Sequence, residues 1–579
     1  MAGYDYLVLG EAKQRKKLIN EGELITVDKI WEWSKDDGQM RGHGKRVSEL
    51  LNQREGNLKD LCLSFAPYKL LRRRFFNLPI HESNLQETKR LIFHGILNPV
   101  TTVPSDHHPI PNYKRALRIT KVELAFLNDF FFSRHALMFA TGFPFLRLVL
   151  STLLVGAISL VAVAIHRFSK IAKEDELGRV HHGVFFTWVL VTLLGVKEVI
   201  EIASYVLSDW TKVMIVCKYV QQPWWLRGSA MAILVRLLCR YSLVRRWDGK
   251  IGQYNLLFSD GLRSRLEPTD FNEDMQKAVF VSLLSKQYDM QPSDRSYVDR
   301  ALLLLERRDA LEAAIKTALK EYQGDVHRIL LWHIATCYCE CHLAHERQVG
   351  VELPWKVRNA FFIELPKLES VVGWTPRCTQ HYTTAVRLSQ YCAHLLRLTP
   401  ALIPGNDIII TAVLDEVIRE TCQALKACFS ISETFVKLEA ISRPQNEQGS
   451  TVREVTEQED VEGLTGEEES GQQSGRGSTT ATTGEEPNAA PAGNMRTLLK
   501  EGSALGQIVI DTNDGNYEAR WAFLAEFWAG FVLHLAESTG ASKHKIHLSR
   551  GGDLMTHLWA LLSHAGLMGR LDEITVCTL

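Results

Sequence analysis

Residues Leu148 to Ile165 read LVLSTLLVGAISLVAVAI, which is 18 consecutive residues without a charged side chain. An α-helix rises about 1.5 Å per residue, so this stretch covers about 27 Å, close to the roughly 30 Å hydrocarbon core of a bilayer. Core helices of soluble proteins are seldom free of charge over such a length. The stretch therefore predicts a membrane-spanning helix, with Arg147 near one end extending toward the membrane surface.

A second apolar segment, GVFFTWVLVTLLGV, runs from Gly183 to Val196 and is too short at 14 residues to span alone. Extending it to Leu207 makes it long enough but includes Lys197, Glu198 and Glu201. Ionisable side chains inside a membrane are functional-site candidates. The alternative is that they lie near the membrane surface, or that Lys197 pairs with Glu201 one helical turn later. Both interpretations stay open from the sequence.

The two segments together predict a transmembrane helical hairpin over residues 135–210, with a polar connector at 166–182. A hairpin places both long flanks on one side of the membrane. Basic residues are about twice as numerous after the second segment as in the connector, which favours cytosolic termini. The chain contains no Asn-x-Ser/Thr sequon, and its 11 cysteines follow no repeating frame, as expected for reduced thiols facing the cytosol. We expect an integral membrane protein, in a membrane that the sequence does not identify.

The overall composition excludes some classes of protein. The chain has 67 Lys and Arg against 67 Asp and Glu, so it lacks the basic excess of a nucleic-acid binder, and we expect no nucleic-acid partner. At 46% hydrophobic residues it is not a fully disordered chain. The expected partners are the lipid bilayer and proteins that bind the cytosolic helical region.

The remainder of the chain predicts a mainly α protein in four further regions. Residues 1–134 form an N-terminal soluble helical region, and residues 211–442 form a cytosolic helical bundle. Residues 443–496 are acidic and rich in Gly, Ser and Thr, which predicts a disordered linker. It tethers a C-terminal helical module at 497–579, and we expect proteases to cut the linker first and release that module.

Residues 224–247 combine aromatic ends, an apolar middle and several arginines, and they predict a helix lying in the membrane interface. An ordinary amphipathic helix packed on the cytosolic bundle is the alternative. The run of arginines at 72–74 beside two phenylalanines could also touch anionic lipid headgroups, although a solvated charged face is the commoner arrangement. The candidate interface residues of the predicted helix are Trp224, Trp225, Arg236, Arg240, Arg245 and Arg246.

The sequence contains only incomplete matches to motifs for catalysis and for metal or cofactor binding. GQMRGHGKR (38–46) has the wrong spacing for a phosphate loop, with Arg46 where the magnesium-binding hydroxyl belongs. In WHIATCYCECHLAHE, His333, Cys337, Cys341 and His345 recur every four residues along one helical stripe. Four ligands spread over three turns cannot converge on one tetrahedral ion, so buried apolar roles are expected. We predict no metal, no cofactor and no enzymatic activity.

Several stretches are similar to a known family. ITVDKIWEW, KDLCLSFAPYKLLRRRF, LSDWTKV and WDGKIGQYNLL resemble the plant membrane family called domain of unknown function 4220. LLWHIATCY (330–338) resembles a stretch that often accompanies it, and EFWAGFVLHLAE and LSRGGDLMTHLWALLSHAGL resemble the companion C-terminal domain of unknown function 594. The resemblance implies a plant integral membrane protein with a cytosolic helical C-terminal region, and it implies no catalytic residue.

The chain departs from the family pattern in two places. Relatives usually begin with several more hydrophobic segments, whereas this chain begins almost at GYDYLVLGEAKQRKKL, which suggests a shortened form. The family's Gly-Gly-Glu is Gly551, Gly552 and Asp553 here, which keeps an acceptor at an expected helix N-cap.

The sequence favours a membrane-anchored interaction or adaptor protein, in which the hairpin fixes the location and the helical region binds partners. The alternative is a subunit of a transport or channel assembly that uses Lys197, Glu198 and Glu201. Two spans cannot line a pore without oligomerising, so this alternative is weaker. An enzyme is the third hypothesis and has no supporting constellation of residues.

Overall fold

The structure is a computed structural model of the 579-residue chain. The predicted linker lies outside the described residues except for its first residue, and residues 224–245 of the predicted interfacial helix lie outside them too. The described residues are 7–9, 25–32, 58–76, 78, 86–97, 112–140, 142–171, 177–221, 246–257, 266–288, 296–305, 309–321, 324–346, 374–426, 428, 430–443, 497–513 and 515–568.

The elements up to the end of the hairpin region are mostly helices. They are β1 (Leu7–Leu9), β2 (Ile25–Thr26), α1 (Val27–Glu32), α2 (Leu58–Arg74), α3 (Gln86–Arg90), a π-helical turn (Leu91–Ile96), α4 (Tyr113–Phe132), α5 (His135–Phe139), α6 (Phe145–Ile171), α7 (Leu177–Val206) and α8 (Asp209–Gln221).

The remaining elements form the helical body. They are β3 (Lys250–Gln253), β4 (Leu266–Asp270), α9 (Glu273–Tyr288), α10 (Ser296–Leu302), α11 (Asp309–Glu321), α12 (Asp325–Glu346), α13 (Pro376–Leu398), a 3-10 turn (Pro400–Leu402), α14 (Asp407–Ala424), α15 (Ile431–Ser442), α16 (Leu498–Thr512), α17 (Tyr517–Glu537), α18 (Ala541–Leu548) and α19 (Leu554–Ala565).

The predicted mainly α fold is confirmed. The described strands form two small antiparallel pairs, β1 with β2 and β3 with β4, and Ile251 of β3 lies opposite Thr269 of β4. These strands are two to five residues long, too short for an alternating pattern to reveal them in the sequence.

Helices α6 and α7 form an antiparallel hairpin that projects from the body. A Cβ added to Gly195 of α7 would lie 3.6 Å from Ile158 of α6, so the helices touch along their lengths. The segments Phe145–Arg167 and Gly183–Val206 are long and apolar enough to cross a membrane, most of their side chains are exposed, and very few are buried. Such exposure is the opposite of what a core helix of a soluble protein requires, because water penalises uncovered apolar surface.

Helices α2 and α4 run parallel and end together beside the start of the hairpin. At their first turns Arg115 Nη2 lies 3.1 Å from Asp60 Oδ1. At their far ends the rings of Phe75 and Phe131 are 5.1 Å apart. Asp60 is buried, and its two arginine partners compensate its charge.

Helix α17 lies at the centre of the body and not at the end of a tether. It packs on α9, α10, α13 and α19. Trp521, Phe527 and Phe531 of α17 are fully buried, and Phe527 stacks on Trp332 of α12 with ring centroids 4.1 Å apart. Residues 497–568 therefore share one hydrophobic core with residues that precede the linker, which corrects the expected separate module. A helix that is apolar on every side has to be enclosed on every side.

Helix α16 reaches the same core through two glycines. A Cβ on Gly502 would lie 2.7 Å from Ile334, and one on Gly506 would lie 2.8 Å from Tyr338, both on α12. Real Cβ atoms do not approach so closely, so α16 needs glycine at both positions to lie against α12.

Candidate functional site

Four ionisable side chains meet at the end of the hairpin nearest the body, and three of them are the predicted Lys197, Glu198 and Glu201. Arg147 Nε donates to Glu201 Oε1 at 3.1 Å. Lys197 Nζ lies 2.9 Å from Glu201 Oε2 and 2.5 Å from Glu198 Oε1. The pairing of Lys197 with Glu201 suggested by the sequence is therefore present. Arg147, which was expected to extend toward the membrane surface, reaches across to the second helix of the hairpin.

The four charges compensate one another. Glu201 lies five residues before Val206, the end of α7, so about 7.5 Å of helix separates it from the body. Two cations and two carboxylates sum to zero, and pairing lowers the cost of holding them at the edge of an apolar phase. The cluster holds α6 against α7, and each of its four charges has a partner of opposite sign.

A second ionic cluster lies directly after α7 in the chain, in the LSDWTKV stretch. Asp209 is buried, and its carboxylate accepts from Lys212 Nζ and from Arg246 Nη2, each at 2.7 Å. Burial raises the pKa of Asp209, but the attraction of Lys212 and Arg246 outweighs it, so the pKa lies below its usual range. Arg246 is one of the predicted interface residues, and it supplies the cation that this buried carboxylate needs.

A neighbouring carboxyl group, that of Asp129, has its pKa shifted in the opposite direction. Asp129, at the end of α4, accepts from Trp210 Nε1 at 3.2 Å. Burial raises the pKa of Asp129 to about 6, an effect that His135 and the Trp210 bond oppose and Asp209 reinforces. His135 Nε2 lies 3.3 Å from the carbonyl oxygen of Ser204, so this corner of the body is bonded to the last turn of the hairpin.

Five of the six predicted interface residues cannot be placed. Trp224, Trp225, Arg236, Arg240 and Arg245 lie outside the described residues, so the predicted interfacial helix at 224–247 stays a prediction.

The histidines and cysteines of α12 face different neighbours. His333 Nε2 accepts from the backbone N–H of Leu256 at 3.1 Å, and its Nδ1 lies 2.8 Å from Ser389 Oγ. Burial lowers the pKa of His333 to about 3, which keeps the ring neutral. Cys337 Sγ lies 3.6 Å from Asn255 Oδ1, whereas His345 Nδ1 lies 2.6 Å from Ser432 Oγ on α15. Cys337 Sγ and His333 Nε2 lie 3.7 Å apart, but His345 contacts a different helix, so the four side chains do not converge on one point.

The WDGKIGQYNLL stretch meets the C-terminal RGGD turn in a close contact. Gly551 has a φ of +91°, and a Cβ there would lie 2.7 Å from the backbone nitrogen of Trp247. The Trp247 ring lies 4.7 Å from the ring of His557. The expected acceptor at the N-cap of α19 is Asp553, but its carboxylate accepts from the hydroxyl of Tyr391 at 2.7 Å. That hydroxyl in turn accepts from the N–H of Met555 at 3.1 Å, so it caps the helix in place of the carboxylate.

A buried polar pair also connects α4 with α19. His564 Nε2 of α19 lies 2.5 Å from Glu123 Oε1 of α4, and both side chains are buried. An unpartnered carboxylate would be costly there, so the pair specifies how α19 sits on α4.

Comparison with known proteins gives two family matches. Residues 1–259 match the family model described as Domain of unknown function (DUF4220), and residues 513–567 match the model described as Protein of unknown function, DUF594. The resemblance found in the sequence is confirmed, while the plant origin that it implied stays a prediction. Searches of curated proteins and of solved structures found no match.

The contacts described above therefore join the DUF4220 domain to the DUF594 domain. Trp247 and Glu123 belong to the first, and Gly551, His557 and His564 belong to the second. The two domains are separated in the sequence by more than 250 residues, yet they pack directly against each other.

Sequence reasoning did not anticipate the roles of Arg147, Asp129 and Tyr391. The role of Arg147 could have been inferred from one signal. An arginine near the end of one apolar span and a glutamate in the next span are candidates to pair, because a charge at the edge of a membrane needs a partner. The bonds of Asp129 and Tyr391 join residues 81 and 162 positions apart, and no local pattern indicates them.

Proposed function

We propose that this chain is an integral membrane protein whose α6–α7 hairpin anchors a cytosolic helical body, and that the body acts as an interaction or adaptor platform. The observation that carries the proposal is the hairpin itself. Its two helices have the length and composition of membrane spans, and most of their large apolar side chains are exposed, whereas the body buries most of its own.

The position of the charges supports an anchoring role. The ion cluster of Arg147 and Glu201 lies at the body end of the hairpin, where it meets headgroups if the hairpin crosses the bilayer. The rest of both apolar segments is free of Asp, Glu, Lys and Arg apart from Arg167 at one limit.

The membrane part of the proposal is tested by alkaline carbonate extraction of membranes that contain the full chain. We expect the protein to stay in the pellet. Release into the supernatant would overturn the anchor. Tags at Met1 and Leu579 should both be accessible from the cytosol, whereas termini on opposite sides would mean that one helix does not cross.

The adaptor part is tested by purification of the full chain from its own membranes in mild detergent. We expect a protein partner that remains stoichiometric through gel filtration and that recovers this chain when the partner is tagged instead. A chain that purifies without any stoichiometric partner would contradict an adaptor role.

A transport or channel subunit is the second candidate, and the predicted Lys197, Glu198 and Glu201 motivate it. Their mutual pairing weakens this candidate, because charges already neutralised offer less to a passing ion. Proteoliposomes holding the full chain distinguish the two: a solute flux that Glu201→Gln abolishes would favour transport over the adaptor.

A further inference from the structure

A group of exposed apolar side chains surrounds the base of the hairpin, and none of them lies in the apolar stretches 148–165 and 183–207. Leu137 of α5 is 77% exposed, Phe132 at the end of α4 is 53% exposed, and Phe76 beyond the end of α2 is 56% exposed. Leu78 and Phe143 are exposed in the same segments. Exposed large apolar groups gathered in one place indicate an interaction surface.

Contacts place these residues at the level of the membrane surface. Helix α5 lies beside the last turn of α7, since the ring of His135 is 5.4 Å from the ring of Tyr205. Tyr205 is the penultimate residue of the apolar segment that ends at Val206. Leu137, two residues after His135, is therefore held next to the end of a span, and the chain from it enters the other span at Phe145.

The second part of the group is joined to the first through stacked rings. Phe76 lies 6.2 Å from both Phe130 and Phe131, which immediately precede Phe132. Helices α2 and α4 run parallel and end together, so their exposed C-terminal residues face in the direction from which the hairpin leaves the body.

Positive charge accompanies the apolar groups. Arg72 lies over the ring of Phe130 at 4.8 Å, and Lys545 of α18 lies over the ring of Phe131 at 4.6 Å. Arg134 and Lys545 are exposed, as is the apolar neighbour Ile546. The segments 72–78, 130–145 and 541–550 contain no Asp or Glu. Apolar and basic groups at one level match a bilayer surface, with rings in the interface and cations at phosphate depth.

We propose that this bilayer-facing surface, formed by Phe76, Phe132, Leu137 and Lys545 with their neighbours, lies flat on the membrane and binds anionic lipid headgroups. The inference rests on the hairpin anchor of the proposed function. It adds that the helical body is held against the membrane in one orientation, with both the DUF4220 and the DUF594 domain touching lipid.

The test uses the full chain in vesicles of phosphatidylcholine with about 30% phosphatidylserine, a typical anionic surface. The photo-reactive residue p-benzoyl-phenylalanine replaces Phe76 or Leu137, and adducts are identified by mass spectrometry. Val436 is the matched control, because it is 51% exposed and lies beside Lys437 on α15, which packs on α12 and α16. We expect lipid adducts at 76 and 137, and lipid adducts at 436 reduced by at least roughly ten-fold, since that site is away from the surface.

A probe at Leu153, in the middle of α6, separates the two hypotheses. Lipid adducts at 153 without lipid adducts at 76 and 137 above the level at 436 would overturn this inference and leave the anchor intact. Absence of lipid adducts at 153 would overturn both. Protein adducts in place of lipid adducts at 76 and 137 would show a protein-binding surface and would also overturn the inference.

The charge of the surface is tested in the same chain. Lys545→Gln should lower the ratio of phosphatidylserine to phosphatidylcholine adducts at position 76 by up to roughly five-fold, the effect of one basic side chain at an anionic surface. Lys437→Gln is the control and should leave the ratio unchanged. An unchanged ratio in Lys545→Gln would overturn the assignment of anionic lipid as the partner.

Discussion

Cutting the linker should not release the C-terminal part of this protein. If a specific protease site replaces residues near 470 and is cleaved in the folded chain, we expect the two pieces to remain associated. The reason is that α16, α17 and α19, which follow the cut in the sequence, pack against helices that precede it. This expectation differs from the one that the sequence supported, in which a tethered module leaves once the tether is cut.

The size of the effect follows from the buried aromatic side chains. Six of them in the C-terminal piece contact residues that precede the linker. At about 1.5–3 kcal/mol for each buried side chain, they contribute about 9–18 kcal/mol before costs. Bringing two pieces together costs about 4–15 kcal/mol, and the other apolar contacts of α16 and α19 add to the favourable side. The six are Trp521, Phe523, Phe527, Trp528, Phe531 and Trp559.

The assay is affinity purification of the cut protein through a tag on the N-terminal piece, in mild detergent at about micromolar concentration. The C-terminal piece should copurify, and urea should separate the two. Gly506→Ala should weaken the association by up to roughly 30-fold, because a Cβ lies 2.8 Å from Tyr338 and overpacking of about 1–3 kcal/mol exceeds the helix propensity gained. Gly540→Ala, where no atom lies within 4 Å, is the control. A C-terminal piece that elutes alone without urea would refute the shared core.

Three further predictions concern the hairpin and its base. Gly156→Asp places a carboxylate in the middle of the first span, so it should weaken membrane insertion by about 2.5–3.5 kcal/mol, read as loss from the carbonate-resistant pellet; unchanged retention would argue against that span. Asp209→Ala leaves the buried Lys212 and the partly exposed Arg246 without their carboxylate, so the free energy of unfolding should fall by about 3–5 kcal/mol, measured by thermal unfolding in detergent; a smaller loss than for an exposed ion pair would show that the site is hydrated. The pKa of Asp129 is raised from 3.8 to about 6, so folding favours its protonated form and stability falls as the pH rises from about 4 through 6. Asp129→Asn should flatten that part of the profile of unfolding temperature against pH while its amide oxygen still accepts from Trp210, and an unaltered profile would assign the pH dependence to other groups.

The hairpin could be predicted from the sequence because its signal is local. Eighteen residues in succession without a charged side chain are long enough for a span whatever the rest of the chain does, and the structure places a helix over all of them. The pairing of Lys197 with Glu201 was also accessible, because residues four apart share a helical face.

What the sequence by itself determined is the mainly helical character, the two long apolar segments and the resemblance to two domain families. Only the tertiary structure decided that the acidic segment joins two parts of one core, that Arg246 neutralises Asp209 and that Arg147 crosses the hairpin to Glu201. Helix formation and membrane partition depend on residues a few positions apart, so a linear pattern records them. Burial of α17 depends on α9, α10, α13 and α19, which come from segments up to about 250 residues away. Its aromatic side chains show that something must enclose it, and only the packed chain shows which helices do so.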